Sequence, residues 1–275
     1  MNPSIPPDSS AQLRSPSYSL PIEDTDFLLR DEMRAVRFAL EYAKAELLLR
    51  DWGIRSTIIV FGGARVPSPE LVAQMPAPQT DKEHAALAQM QRRLAWYEAA
   101  REVGRIVSER GGARAPHERW RDNVIATGGG PGIMEAANRG AWEVGAPSIG
   151  FNITLPLEQQ PNRFTTPELT FRFHYFAMRK MHLAMRANAL IIFPGGFGTM
   201  DELFEILTLR QTGNAPRVPI VLFDRDYWER IINFDVFAEE GMISKADLEL
   251  FDFAETSEEV WETLMHLGVA MDAKS

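Results

Sequence analysis

The sequence predicts a doubly wound, mostly parallel α/β sheet behind an N-terminal helical arm, on three observations. From Thr57 onward, short apolar runs alternate with long helix-forming stretches, the pattern of strands joined by helical crossovers. Two of the apolar runs, 123–127 and 189–193, end in glycine clusters that lead straight into helical sequence. The 275 residues are enough for one large core and an appendage.

Taken in order, residues 1–20 are rich in Ser and Pro and predict a loose arm. Residues 24–50 predict a charged amphipathic helix with Phe27, Leu28, Met33, Val36, Leu40, Tyr42 and Leu47 as its apolar contacts. Arm and helix together span 1–54, ahead of a domain at 55–275. Thr57–Phe61 is the first expected strand. Residues 66–80 contain Pro67, Pro69, Pro76 and Pro78 and predict a long loop. The expected elements continue as helix 82–110, strand 123–127, helix 132–145, strand 148–152, a Pro-containing loop 155–167 and strand 168–173. Helix 176–187, strand 189–193, helix 199–212, strand 218–223, helix 226–240 and helix 257–268 complete the chain. There are no internal repeats.

The most informative stretch is Pro194-Gly195-Gly196-Phe197-Gly198-Thr199-Met200-Asp201-Glu202. Glycines let the backbone approach an anion without Cβ obstruction. The free N–H groups and dipole of the following helix favour that anion. Thr199 adds a hydroxyl, and Glu202 places a carboxylate one turn further on. The simpler reading is a capping box, with Thr199 as N-cap and Glu202 as its acidic partner. That reading accounts for Thr-x-x-Glu and leaves the three glycines unexplained. A second cluster, Gly128-Gly129-Gly130-Pro131-Gly132, repeats the strand-turn-helix arrangement, and in an open parallel sheet such turns lie where ligands bind. Taken alone, it is equally well read as a tight turn.

Two common nucleotide motifs fail on spacing. A dinucleotide fingerprint needs G-x-G-x-x-G/A, whereas the third site falls on Ile133 or Glu135. A Walker A loop needs Gly-Lys-Ser/Thr, and neither cluster contains Lys. Upstream of 189–193, Arg179 and Lys180 are adjacent cations on an expected helix that also carries Met178, Met181 and Met185. The net charge of −9 argues against bulk nucleic-acid binding. The absence of Cys removes a disulfide framework and a thiol nucleophile. The five His are scattered without metal-ligand spacing, so no metal is expected. The first residues lack a basic and apolar leader, and no apolar run approaches the ~20 residues of a membrane span. The expectation is a cytoplasmic protein without a membrane partner.

Arg179-Lys180 followed by Pro-Gly-Gly-x-Gly-Thr-x-x-Glu resembles the LOG family of cytokinin riboside 5′-monophosphate phosphoribohydrolases, often labelled lysine decarboxylase-like. The turn at Gly128–Ile133 is similar to the family's other glycine motif. Val60-Phe61-Gly62-Gly63-Ala64-Arg65 is similar to its first βα turn, with Ala64-Arg65 where Ser is usual. The resemblance covers about residues 55–268. The long arm and the 66–80 insertion resemble those of the longer bacterial branch. It implies a Rossmann-like nucleotide-binding catalytic domain that needs no cofactor. The implied reaction is hydrolysis of the N-glycosidic bond of a purine nucleoside 5′-monophosphate, AMP or a cytokinin riboside monophosphate. Arg179 and Glu202 are the implied catalytic pair. Gly129, Gly130, Gly132, Met134, Glu135, Lys180, Gly195, Gly196, Gly198 and Thr199 are the implied substrate-binding residues. A homodimer or higher homo-oligomer, with each pocket bordered by the neighbouring subunit, is implied as well. True lysine decarboxylation would need a Schiff-base lysine, for which Lys180 is the candidate. The reading from a different class is a nucleotide-binding sensor or carrier of the same fold, since fold does not fix function.

Overall fold

The computed structural model describes residues 8–154, 160–213 and 218–269. Seven strands form one sheet: β1 (Thr57–Phe61), β2 (Val124–Thr127), β3 (Ile149–Ile153), β4 (Thr170–Phe173), β5 (Ala187–Ile192), β6 (Ile220–Phe223) and β7 (Asp252–Ala254). Their order is β4-β3-β2-β1-β5-β6-β7, and every pairing is parallel. β1, β2 and β6 are buried along their whole length, as expected of strands covered by helices on both faces. The chain runs outward from β1 to β4, then returns to the other side of β1 as β5. The strand order therefore reverses between β1 and β5, the crevice where open α/β sheets bind ligands.

The principal helices are α1 (Arg34–Asp51), α2 (Asp81–Arg110), α3 (Ile133–Glu143), α4 (Phe176–Met185), α5 (Phe197–Gln211), α6 (Arg225–Ile231), α7 (Phe234–Glu239) and α8 (Ser257–His266). α2 starts at a full capping box, Thr80 with Glu83, and α8 at another, Thr256 with Glu259. α2 and α3 approach closely because Gly104 and Gly140 present no side chain: a Cβ on either would strike the backbone of the facing helix. Among the described residues, no helix is long and apolar enough to cross a membrane.

The doubly wound parallel sheet is as expected, and several boundaries are not. The chain divides into compact units at 1–44 and 45–275 rather than at 54/55, because the end of α1 carries Ala45 and Leu49 into the core around the sheet. The expected single helix at 24–50 is broken. Asp24 caps a short helix, Thr25–Leu28, and Arg30 is extended before a 3-10 turn and α1. Val36, Leu40 and Leu47 are exposed, so the expected apolar face is not the buried one. The arm at 1–20 contains a helical turn, Ser10–Leu13, and a 3-10 turn, Pro16–Tyr18; residues 1–7 lie outside the described residues. Within 66–80, Ser68 caps the helix Pro69–Ala73, with proline at its first position. Helix 226–240 is two helices, since Ile232 is extended and Asn233 caps α7. β7 and the 3-10 segment Lys245–Leu250 were not foreseen. Part of the expected loop 155–167 falls on residues 155–159, outside the described residues.

Candidate active site

A cleft of about 1170 Å³ opens over the ends of β1, β5 and β6. Its floor is two interlocked turns. The Gly63 N–H donates to Pro194 O at 2.9 Å, and the Phe193 N–H donates to Phe61 O at 2.8 Å. The turn after β1 thereby carries Arg65 to the cleft wall beside the turn after β5.

α5 begins at Phe197 with Gly196 as its N-cap, and among the described residues no side chain caps this end. The capping-box reading of Thr199 and Glu202 is therefore overturned: both already lie inside the helix. Helix geometry leaves the first N–H groups without intrahelical acceptors, here at the cleft wall formed by Gly196, Phe197 and Gly198. A Cβ on Gly196 or Gly198 would meet no atom within 4 Å, so the space over them is open to a ligand. Gly195 differs, because a Cβ there would collide with the Thr199 hydroxyl. Thr199 is buried beneath the turn it supports.

Glu202 follows one turn into α5, and its side chain is only 7% exposed. Its nearest counter-charge is Arg179 of α4, 12% exposed, with Nη1 3.9 Å from Oε1. Arg179 Nε also donates to Phe151 O, in the middle of β3, at 2.9 Å. Burial pushes the Glu202 carboxyl above its ordinary range, and Arg179 and Lys180 only partly offset this. Burial likewise lowers Arg179, against the pull of Glu202 and Asp201; a guanidinium nevertheless stays charged. The pair is a desolvated carboxylate and cation at ion-pair range without a direct hydrogen bond, both facing the cleft.

Lys180 lies elsewhere. Its Nζ bridges Asp201 at 2.8 Å and Glu205 at 2.7 Å on α5. Burial opposes its charge, yet these two hydrogen bonds hold its pKa above the usual lysine range. A Schiff-base lysine must offer a neutral amine, so this clamp disfavours that chemistry. On α4 the buried side chains are His182 and Leu183, Met178 packs partly buried against the core, and Met185 is exposed.

The second glycine turn is used differently from the first. Among the described residues, Gly129, Gly130, Gly132 and Glu135 do not line the cleft, whereas Met134 does. The Gly129 carbonyl accepts from the Asn162 N–H at 2.8 Å, and the Gly130 carbonyl accepts from Asn162 Nδ2 at 3.1 Å. Gly132, at φ 71°, passes against Gly63 and Ala64, where any Cβ would clash. Glu135 accepts from the Tyr97 hydroxyl at 2.9 Å. The turn reaches the site through Gly128: a Cβ there would lie 2.6 Å from Arg179 Nη2 and 2.9 Å from Met134 Sδ. Its glycines therefore seat Arg179 and lock two turns together.

One constellation was not foreseen. Asp224, directly after β6, is a non-glycine residue at φ 69°, an uncommon conformation that collects at functional sites. Its carboxylate accepts from Trp96 Nε1 at 2.7 Å and from the Tyr227 N–H at 3.0 Å. The Tyr227 hydroxyl donates to Gly195 O at 2.6 Å, and the Trp96 and Tyr227 rings meet edge-on at 5.5 Å. The glycine turn is thus held from the side opposite Arg179. The sequence signal was an Asp at a strand end followed three residues later by Tyr.

A family model described as possible lysine decarboxylase matches residues 134–264. Over 147 residues the chain is 31% identical to cytokinin riboside 5′-monophosphate phosphoribohydrolase LOG3 of Arabidopsis thaliana, covering 52% of this chain and 66% of that protein. Over 173 residues it is 27% identical to the LOG enzyme of Oryza sativa subsp. japonica, covering 62% of this chain and 66% of that protein. The match thus spans just under two thirds of the length of these relatives. The X-ray structure of TM1055 is similar with a TM-score of 0.46 and 18% identity, over 77% of this chain and 99% of that chain.

Proposed function

Because the chain belongs to the LOG family, we propose that it hydrolyses the N-glycosidic bond of a nucleoside 5′-monophosphate, releasing free base and ribose 5-phosphate. AMP and cytokinin riboside monophosphates are the proposed substrates. The observation that carries the reading is the buried Glu202–Arg179 pair, one helical turn beyond an open, uncapped helix N-terminus. The relatives' activity supports it.

In this reading the 5′-phosphate rests on the open N-terminus of α5, over Gly196 and Gly198, where dipole and N–H groups favour an anion. The ribose then lies towards Glu202. Glycosidic cleavage passes through an oxocarbenium-like state, and a desolvated carboxylate stabilises that positive charge more than water does. Glu202, ionised, also accepts the proton of the attacking water. Arg179 stabilises negative charge developing on the departing base and does not transfer a proton. The C1′–N bond breaks as the water's hydroxyl joins C1′; the proton taken by Glu202 passes to solvent and the departing base takes one up from solvent, so one water is consumed in all. Phosphate binding remote from C1′ is used at the reacting centre.

The protein is also proposed to act as a homodimer. Phe176 and Phe197, on the cleft wall, are 52% and 96% exposed, and aromatic residues are enriched at interfaces. The test of the activity is release of free base from a panel of nucleoside monophosphates. A protein that binds these nucleotides and never releases base is the sensor or carrier instead.

A further inference from the structure

Asp201, Glu202 and Glu205 crowd one turn of α5. Residues spaced i and i+3 are neighbours on a helix surface, so Glu205 stands on the same side as the buried Glu202. Each further negative charge makes a desolvated carboxyl harder to ionise. α4 supplies the counter-charges as a consecutive pair. Arg179 faces Glu202 at 3.9 Å, and Lys180 Nζ bridges Asp201 at 2.8 Å and Glu205 at 2.7 Å. Lys180 therefore holds both of the carboxylates that flank Glu202.

Lys180, Glu202 and Glu205 also meet at one small cavity. Its volume is about 10 Å³, and its other walls are apolar, among them Phe61, Leu183 and Leu190. Glu202 lines the cleft as well; among the described residues, Lys180 does not. Charges set around a small apolar space act on one another more strongly than they do in water. The charged groups that act most on Glu202 are Arg179 and Lys180 of α4, then Glu205 and Asp201 of its own helix. The rest of the cleft wall carries Asp224, Asp226 and Arg230 after β6, Arg65 after β1, and Arg92 and Arg93 on α2, which act on it less.

We propose that Lys180 is a positioning residue that acts through Glu202: its bridge to Asp201 and Glu205 neutralises the two flanking carboxylates, so that Glu202 carries its charge at the pH of turnover. Lys180 thereby sets the lower pH bound of the reaction without touching the substrate. This rests on Glu202 being the carboxylate of the proposed hydrolysis.

The test reads two quantities on the full chain. One is kcat for AMP across pH. The other is the titration midpoint of Glu202 by carbon-13 NMR of glutamate-labelled protein, its carboxyl signal being the one absent from Glu202→Gln. In Lys180→Met, the acid limb and the midpoint should both move up by about one pH unit. On the limb, kcat then falls about tenfold, and it recovers at higher pH. Lys180→Arg keeps the charge and should leave both near wild type. Asp201→Asn/Glu205→Gln should move both down, and added to Lys180→Met it should reverse the upward shift. A merely structural brace would gain nothing from that addition. A midpoint unmoved in Lys180→Met, or a limb that stays in place while the midpoint moves, would overturn the proposal. Should Lys180→Met not fold, the Asp201→Asn/Glu205→Gln protein decides, and a midpoint unchanged or raised there would overturn it. If the midpoint moves as expected while wild type releases no base, the control of Glu202 by Lys180 stands and the hydrolase reading falls.

Discussion

Replacing Glu202 by Gln keeps the shape and hydrogen-bonding capacity of the side chain and removes its charge. At 3.9 Å, the separation from Arg179, a unit charge pair in an effective dielectric of about 20 interacts by about 4 kcal/mol. No discount for screening applies, since the side chain is only 7% exposed. A sugar cation at similar range gains a comparable amount, worth about 10³ in rate. The Gln dipole recovers some of it, so the expected fall in kcat is about 10²–10³-fold, the scale of losing one preorganised group. The pH profile supplies a second signature. Burial raises the Glu202 pKa above its ordinary value of 4.5, and activity needs the ionised form. The wild-type rate should therefore rise with pH through an acid limb lying above 4.5, and that limb should be absent from Glu202→Gln. Stability carries the opposite sign. Ionising Glu202 disfavours the fold, so this cost is absent below the unfolded pKa and fully present once pH exceeds the folded one. Glu202→Gln should thus melt no lower than wild type in mildly alkaline buffer. Adenine release measured by chromatography across pH, beside thermal melts, checks all three. Wild-type turnover by Glu202→Gln would refute the charge argument.

Gly198→Ala adds a methyl that meets no protein atom within 4 Å and replaces glycine early in a helix. Melting temperature should hold or rise, while KM for AMP increases about tenfold, or ~1.4 kcal/mol; an unchanged KM would remove the phosphate from this turn. Tyr227→Phe deletes the 2.6 Å bond to Gly195 O, worth about 1 kcal/mol. It should raise KM about fivefold with kcat nearly unchanged, and an equal loss in kcat would contradict a purely positioning role. Light scattering beside an activity assay should find about twice the 31.0 kDa chain mass; a fully active single chain would refute the dimer.

The sheet was legible because its central strands are unbroken apolar runs, Thr57–Phe61 matching residue for residue. β7 was not, since three residues beginning with Asp252 carry no periodicity. The single helix expected at 24–50 is divided because the Asp24 cap and the extended Arg30 interrupt a continuous amphipathic pattern. Glycine spacing located the turn over which the cleft opens. It could not say that Gly196 and Gly198 face open space while Gly129 and Gly132 are filled by Asn152 and the β1 turn. Adjacency in sequence paired Arg179 with Lys180, whereas successive helical positions point about 100° apart. One enters the cleft and the other clamps α5. Asp224 and Tyr227 lie far from either glycine cluster along the chain, and only the β5–β6 pairing brings them to the site.

The most direct test is incubation of the purified protein with AMP and, separately, with adenosine, quantifying free adenine and ribose 5-phosphate. Equimolar adenine and ribose 5-phosphate are expected from AMP and no adenine from adenosine, because an empty phosphate cradle forfeits the binding energy used at C1′. Comparable adenine release from both would contradict the cradle, and AMP bound without any release of adenine would contradict the hydrolase.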